Sequence, residues 1–287
     1  MVCKRLAGAA GVILGAAVLA AGCAPQGQSG PKIFYGDAQG LGEGTVRTWL
    51  EASADGTLEK LGVEMSKSAL SGLPVKRNMT SRCFDVNGNG VLDPMECEGD
   101  EERKLSLPAE AAALGVTFSW VSVNFNPEGH IPENWTVPHF DFHFYLAPKE
   151  EISAIRTGQC GILINCDDFE TAVKPVPAKY TPPDYISIDA AVSEMGNHLI
   201  DSTSPQMGPP FAKAEHVVIY GAYDGHIIFI EPMITSETLM NNPNTCFEIK
   251  QPEAWEASGY YPAEYCITAD DARYYVSLSG LTYHEAS

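Results

Sequence analysis

The sequence predicts an α+β fold in which antiparallel β-sheet predominates. Runs of alternating apolar residues, bounded by turn residues, recur along the chain and are typical of strands. The run "AEHVVIYGAYDGHIIFIEPMI" places Asp224-Gly225 between two β-rich segments, which is a strong signal for a type I′ hairpin. Helical patterns are short and follow strand pairs. Together these features favour sheets of hairpin-connected strands with a few short helices.

Residues 1–22 are predicted to form a secretory signal peptide. Lys4 and Arg5 precede an apolar run, residues 6–19, that is too short to cross a bilayer comfortably. The ending "LAAGC" is typical of a bacterial lipoprotein signal, so Cys23 is predicted to carry the lipid and to begin the mature chain. An ordinary signal peptide with a nearby cleavage site is the alternative. The lipidated protein is expected in the cell envelope, on the extracytoplasmic side of a bacterial membrane.

The segment after the signal peptide is predicted to be a flexible tether, residues 23–40. Its stretch "APQGQSGPK" is rich in Pro, Gly, Gln and Ser and has no apolar period. The formal charge of the chain is −19, and loss of Lys4 and Arg5 makes it −21. A chain this acidic repels phosphate backbones, so no nucleic-acid partner is expected.

Residues 41–287 are predicted to form a single α+β domain whose elements follow turn and cap signals. Two strands flank the turn "ADG", and a short helix over residues 66–71 ends before Gly72. The strands "VTFSWVSVNF" and "VPHFDFHFYLAP" follow an insertion, residues 75–103. The stretch "KEEISAIRTG" predicts a short helix ending at Gly158, and "TSETLMNN" predicts one after the hairpin, capped by Thr235 or Ser236.

Six cysteines remain beyond Cys23, and in an oxidising compartment an even number predicts three disulfides. Six cysteines allow fifteen pairings, and sequence alone leaves them open. We predict the local pairing, which joins Cys83 to Cys97, Cys160 to Cys166 and Cys246 to Cys266.

The stretch "DVNGNGVLDPME", residues 85–96, matches the twelve-residue EF-hand calcium loop. Its ligand positions hold Asp85, Asn87, Asn89, the carbonyl of Val91, Asp93 and Glu96. Gly90 stands where the chain must turn sharply. We therefore predict Ca²⁺ binding with a mainly structural role and an affinity on the order of 10⁻⁴ to 10⁻³ M. A polar turn in an acidic loop is the alternative.

The strand "HFDFHFY" predicts one apolar and one polar face. Alternate strand residues share a face, so Phe140, Phe142 and Phe144 are expected in the core. The opposite face carries His139, Asp141, His143 and Tyr145. Imidazole and carboxylate are ligands of transition metals. Residues two apart lie about 6.8 Å apart along a strand and can share an ion, whereas residues four apart cannot unless the strand bends sharply.

A second metal or ligand site is therefore predicted around this strand. Asp141 would bind the ion together with one neighbouring histidine, or would orient a ligand histidine. Further candidates are His198 in "EMGNHLID" and the pair His216 and Glu231 in the hairpin. A regular two-residue hairpin loop would place His216 opposite Met233 and diagonal to Glu231. The alternative is a set of hydrogen-bonded polar residues lining a pocket or an interface.

Several motifs together resemble a small family of uncharacterised bacterial proteins, the Thermus-type hypothetical-protein domain of unknown function. They include "FNPEGHIP", "PHFDFHFY", "MGNHLID" and "YGAYDGHIIFIEPMIT", and the resemblance spans about residues 42–234. It implies an exported, oligomeric α+β protein and carries no catalytic residues over. The calcium loop, the six cysteines and the tail after Cys246 depart from the family pattern.

Two functions remain after the motifs are considered. The chain has no G-x-S-x-G, H-E-x-x-H, P-loop or C-x-x-C motif of a known enzyme class. The first hypothesis is a membrane-tethered calcium-binding protein with a non-enzymatic binding or structural role. The second is an enzyme in which a transition metal, held by Asp141, His143 and His198 with Glu231, activates water or oxygen. Whether the protein is an enzyme stays open at this point.

Overall fold

The computed structural model describes residues 30–287 of the chain. The predicted signal peptide, Cys23 and the beginning of the tether lie outside these residues. We number the strands in chain order as follows: β1 Lys32–Tyr35, β2 Gln39–Leu41, β3 Gly44–Ala52, β4 Leu58–Ser66, β5 Glu101–Ser106, β6 Trp120–Asn126, β7 His139–Tyr145, β8 Thr157–Cys160, β9 Tyr185–Val192, β10 Gly196–Asp201, β11 His216–Tyr223, β12 His226–Thr235, β13 Asn244–Glu248, β14 Gly259–Tyr261, β15 Glu264–Ala269, β16 Arg273–Ser279 and β17 Thr282–His284.

Antiparallel pairing joins these strands into two large sheets, which confirms the predicted fold class. The first sheet has the order β1-β3-β4-β16-β15-β13, with β2 added beside β3. The second has the order β5-β6-β7-β12-β11-β10-β9, and β14 pairs with β17 separately. The helices are short: α1 is Lys149–Ser153, α2 is Cys166–Ala172 and α3 is Ser236–Met240. Within residues 30–287 no helix is long and apolar enough to span a membrane.

The main core lies between the two sheets. Phe140, Phe142 and Phe144 of β7 are fully buried there, against residues of the first sheet such as Leu50 and Val63. The predicted apolar face of β7 is therefore the core face. A second apolar cluster covers the opposite face of the second sheet, where Tyr145 and Phe229 meet Ile152 of α1 and Ala172 of α2. Because both faces of β7 are covered, all seven of its residues are buried.

Three stretches differ from their predicted roles. Residues 32–40 were expected to belong to the flexible tether, but β1 and most of β2 lie within them, and both strands pair with β3. Tyr35 explains part of this order, since the guanidinium of Arg47 lies 3.8 Å from its ring. The end of the predicted insertion, from Glu101 on, forms β5 at the edge of the second sheet and pairs with β6. The helix predicted to reach Gly158 ends earlier, because Gly158 belongs to β8.

The β11–β12 hairpin has the predicted turn but a different register. Asp224 and Gly225 both have positive φ, as a type I′ turn requires. A β-bulge between Gly221 and Ala222 then shifts the pairing, so that Glu231 lies opposite Ile219 and His216 lies opposite Ile234. The predicted pairing of His216 with Met233 is therefore wrong. Since a shift of one residue turns a side chain to the other face, His216 and Glu231 point to opposite faces of the sheet.

Three disulfides join the cysteines in the predicted local pairs, 83–97, 160–166 and 246–266. The first disulfide closes the predicted calcium loop. The backbones of Cys83 and Cys97 also form an isolated antiparallel β-bridge there. One 3₁₀ turn, Pro94–Glu96, ends that loop, and Asp93 caps this turn by accepting a hydrogen bond from the Met95 N–H. The insertion is thus a compact, cross-linked loop that lies over the second sheet.

Candidate metal centre

Strand alternation places polar side chains in rows on the face of the second sheet that is turned away from the main core. On β6 this row is Ser122, Asn124 and Asn126, and on β7 it is His139, Asp141 and His143. Glu231 on β12 and His198 on β10 extend it across the sheet. The side chains of β7 take part in two clusters that could each hold a metal ion, and Glu231 and His198 belong to the second of them.

The first cluster consists of His130, His139 and Asp141. The Nε2 atom of His139 lies 3.4 Å from Oδ1 of Asp141 and 3.1 Å from Nε2 of His130. His130 comes from the loop before β7. Gly129 shapes this loop through its positive φ, and a Cβ there would lie 2.1 Å from the carbonyl oxygen of Trp135. Only glycine therefore lets the loop turn here and bring His130 over the strand.

The hydrogen bonds of the first cluster fix where the ring protons are. Nδ1 of His139 donates to the carbonyl of Val137, and Nδ1 of His130 donates to the carbonyl of Ile131, both at 2.8 Å. A carbonyl oxygen only accepts, so in each neutral ring the proton sits on Nδ1 and Nε2 carries a lone pair. Two lone pairs then face each other at 3.1 Å, with a carboxylate oxygen beside them. A shared cation would turn this repulsion into attraction.

The second cluster consists of His143, His198 and Glu231. Oε2 of Glu231 lies 3.5 Å from Nε2 of His143 and 3.8 Å from Nε2 of His198. Nδ1 of His198 donates to the carbonyl of Ala190 at 2.8 Å, which again leaves the lone pair on Nε2. The ring of Phe229 holds both imidazoles in place, with centroid distances of 4.8 Å to His143 and 5.4 Å to His198.

Several ligand atoms in these clusters are buried without a hydrogen-bond partner. Among residues 30–287, none donates to or accepts from Oδ1 of Asp141, Oε2 of Glu231 or either ring nitrogen of His143. Buried polar atoms are almost always paired, because an unpaired one costs about 1–3 kcal/mol. These three residues are at most 5% exposed. The carboxylate oxygens lie 3.4–3.8 Å from the imidazole nitrogens, which is longer than a hydrogen bond. Two ligands at about 2.0–2.1 Å from one tetrahedral ion are ~3.3–3.4 Å apart, which is close to these distances.

Burial sets the protonation of both clusters. It lowers the pKa of His139 to about 4 and that of His198 to about 4, and it lowers the pKa of His143 well below its usual value. Burial also raises the pKa of Asp141 to about 7, and it raises that of Glu231 well above its usual value. The imidazoles are therefore neutral near pH 7, which is the form that binds metals. The carboxyl groups retain protons that a metal ion would displace.

Both clusters open into one cavity of about 440 Å³. Asp141, His143, His198 and Glu231 lie on its wall together with Asn126, whose Nδ2 donates to Oδ2 of Asp141 at 2.6 Å. The insertion forms another part of the wall. Its Arg77 donates to the carbonyl of Gly129 at 2.8 Å and so ties the insertion to the loop that carries His130.

The structure divides the predicted histidine and carboxylate site. Asp141 meets His139, its neighbour two residues away, while His143 belongs to the cluster with His198 and Glu231. His216 lies apart from both, because its Nδ1 is 2.6 Å from the hydroxyl of Tyr265 on the other face of the sheet. Sequence reasoning missed His130. The signal that could have found it is "EGH", a glycine directly before a histidine in a loop close to the polar strand.

The carboxylates of the predicted calcium loop turn inward. Asp85 accepts hydrogen bonds from the backbone N–H of Asn89 and Gly90 at 3.1 and 2.7 Å. Glu96 accepts from the N–H of Val86, Asn87 and Asp93 at 2.9–3.2 Å. The loop thus curls around its own acidic side chains. A third group of potential ligands, Cys246, Glu264 and Cys266, offers no thiolate because its cysteines form a disulfide.

Comparisons with known proteins do not assign the chain to a family. It matches no family model, and neither curated proteins nor solved structures give a significant match.

Proposed function

We propose that the protein binds a divalent transition-metal ion at the two clusters and that this binding is its main biochemical property. The observation that carries the proposal is the pair of Nε2 lone pairs of His130 and His139, which face each other beside Asp141. Both Nδ1 atoms donate to carbonyl groups, and such bonds orient metal-ligating histidines in proteins. The same arrangement recurs at His198.

The types of ligand atom in the clusters restrict which metal ions can bind. Each cluster offers two imidazole nitrogens and one carboxylate oxygen, a set that suits zinc, iron and other first-row divalent ions. Hard ions such as Ca²⁺ and Mg²⁺ prefer all-oxygen sites. The interatomic spacing of 3.4–3.8 Å between carboxylate oxygen and imidazole nitrogen favours a four-coordinate ion, and Zn²⁺ is the ion that most often adopts this geometry.

Metal stoichiometry in solution tests the proposal. The mature protein would be stripped with EDTA, reloaded with Zn²⁺ or Co²⁺ and freed of excess ion, and bound metal would be measured by mass spectrometry. We expect one to two equivalents, and a Co²⁺ absorption spectrum of low-symmetry sites. His139→Gln and His143→Gln should each lower the stoichiometry. His216→Gln is the matched control, because His216 lies outside both clusters, and it should bind as much metal as the wild type.

A metal-dependent enzyme is the second candidate. It is favoured by the observation that each cluster has three protein ligands and faces a cavity. Catalytic zinc sites have three protein ligands and an open position, whereas structural sites are closed by four. In such a site the metal would supply a polarised water or substrate oxygen. The protein would contribute neutral imidazoles, dry walls and, at Asp141 and Glu231, carboxyl groups that can hold a proton.

We further propose that Ca²⁺ binds residues 85–96 and that the protein is an exported lipoprotein anchored through Cys23. The inward-turned Asp85 and Glu96, the turn at Gly90 and the bracketing disulfide support a loop whose ligands can close around a cation. The positive n-region and "LAAGC" support lipidation. In this proposal calcium keeps the insertion rigid, and the insertion in turn forms part of the wall of the metal cavity.

A further inference from the structure

We propose that the cavity beside the clusters binds a small molecule with a flexible aliphatic body and one anionic oxygen group, such as a carboxylate, that ligates the metal. The inference rests on the proposed metal site and names the class of ligand for it. Four features of the cavity carry it: the chemistry of its walls, its apolar rim, the charge at its floor and its volume.

The walls away from the clusters are aliphatic. Ile162, Leu163, Met195, Met207, Ile219 and Met233 line them. Among the described residues on the wall there is no Phe, Tyr or Trp, so the part of the cavity away from the histidines has no aromatic ring on which a planar ligand would stack. Methionine side chains are unbranched and adapt to irregular shapes. Walls of this kind suit a flexible hydrocarbon chain.

The rim of the cavity is apolar as well. Val86, Met95, Ile131 and Ile188 line the cavity and are yet 47%, 80%, 76% and 50% exposed, so they lie where it meets the surface. They come from three separate parts of the chain: the insertion, the loop after His130 and strand β9. Apolar side chains gathered from distant segments at one opening mark a binding site for an apolar group.

The charge at the floor of the cavity, where the two clusters lie, favours an anionic ligand. A divalent ion held by two neutral imidazoles and one carboxylate keeps a net charge of +1, which a carboxylate ligand would neutralise in a buried site. The other charged groups on the wall do not supply this anion. Asp100 is paired with Arg82, its Oδ1 lying 2.7 Å from Nη2, and Glu98 lies near Arg77 and Arg82. The ligating head would therefore sit at the clusters, with its chain directed toward the rim.

The volume sets the size of the ligand. The cavity of about 440 Å³ holds about 15 groups of the size of a water molecule, each taking about 30 Å³. It lies within the range of small-molecule sites, about 300–1,000 Å³. A carboxylate with roughly eight to twelve carbons would fill it.

The test uses the mature protein loaded with Co²⁺, with decanoate as the probe and acetate, decanol and decyltrimethylammonium as comparisons. We expect decanoate to change the Co²⁺ absorption spectrum and to bind at least ~100-fold more tightly than acetate, because burial of only three to four of its additional methylene groups would already give this ratio. Decanol should bind more weakly than decanoate, and the cationic probe should leave the spectrum unchanged.

Two exposed isoleucines of β9 give a matched pair of variants. Ile188 lines the rim, whereas Ile186 is similarly exposed, at 48%, but does not line the cavity. Ile188→Gln should lower the affinity for decanoate about tenfold. It should not change the Co²⁺ spectrum in the absence of decanoate. Ile186→Gln should have no effect on either quantity.

The outcomes separate this inference from the metal proposal. If Co²⁺ does not bind, the metal proposal fails and this inference fails with it. If Co²⁺ binds but decanoate gives no spectral change and no heat of binding, the ligand inference alone is overturned. It is also overturned if sedimentation shows a dimer that Ile188→Gln dissociates and that decanoate does not affect, because the rim would then be an interface between copies.

Discussion

Replacement of Gly221 with alanine should disturb the second cluster from a distance. A Cβ at this position would lie 2.1–2.3 Å from three ring atoms of Phe229, whereas ordinary contacts begin at 3.4 Å. The ring must therefore move by about 1.3 Å to restore ordinary contact. The same ring packs on the imidazoles of His143 and His198. Metal–ligand distances tolerate only about ±0.2 Å, so a displacement of this size would break the geometry of the cluster.

The expected magnitudes follow from overpacking and from loss of support for the ligands. Overpacking of a buried site costs about 1–3 kcal/mol of unfolding free energy, which for a chain of this size lowers the melting temperature by roughly 2–12 °C. Loss of outer support for metal ligands typically costs about 10–100-fold in affinity. Thermal unfolding followed by circular dichroism measures the first effect, and titration with Co²⁺ measures the second.

Two further variants make the reasoning refutable. Gly40→Ala is the control, since a Cβ at Gly40 in β2 would meet no atom within 4 Å, and its stability should change by less than about 0.5 kcal/mol. Phe229→Leu should relieve the Gly221→Ala clash, so the double variant should lose less stability than the two single variants added together. If Gly221→Ala has the same melting temperature as the Gly40→Ala control and binds Co²⁺ with the affinity of the wild type, the role assigned to the Phe229 ring is wrong.

Four other predictions concern protons, the disulfide, calcium and lipid. Burial raises the pKa of Asp141 to about 7, so a metal ion must displace its proton below that pH. The affinity of the first cluster should fall about tenfold per pH unit below roughly pH 6 and level off above 8, and calorimetry in buffers of different ionisation heat should show proton release that Asp141→Asn reduces, with the remainder coming from Glu231 of the second cluster; a flat profile would refute this. Loss of the Cys83–Cys97 disulfide, tested by Cys83→Ser in denaturant unfolding, should cost about 3 kcal/mol, and an unchanged midpoint would contradict it. Glu96→Gln should remove the heat of Ca²⁺ binding seen at millimolar calcium in the wild type, because it removes the bidentate ligand; equal heats in both would count against the calcium loop. Labelled fatty acid should enter the wild type but not Cys23→Ser, and equal labelling would exclude lipidation there.

The sequence predicted those parts of the site that depend on strand alternation. The pattern "HFDFHFY" has a period of two, so it separates Phe140, Phe142 and Phe144 from the polar row without any tertiary information. It also limits which neighbours can meet, and the contact between His139 and Asp141 agrees with that limit. The disulfides follow the predicted local pairing, in which the partners are separated by only 6 to 20 residues.

The remaining parts depend on tertiary structure that no local pattern encodes. The bulge at Gly221 shifts β11 by one residue, and this moved His216 away from the predicted pair. His130 enters the first cluster through a loop that Gly129 shapes and Arg77 anchors from the insertion. Neither feature has a periodic signal in the sequence. The short helices α1 and α2, which pack on the apolar part of the same face of the sheet, are likewise placed by tertiary contacts.

The most direct test of the central claim is anomalous X-ray scattering from crystals grown with Zn²⁺ and measured at the zinc absorption edge. The account predicts an anomalous peak at about 2.0–2.2 Å from Nε2 of His130, Nε2 of His139 and an oxygen of Asp141, or from the corresponding atoms of His143, His198 and Glu231. Zinc bound elsewhere on the chain, with no anomalous peak at either cluster, would contradict it.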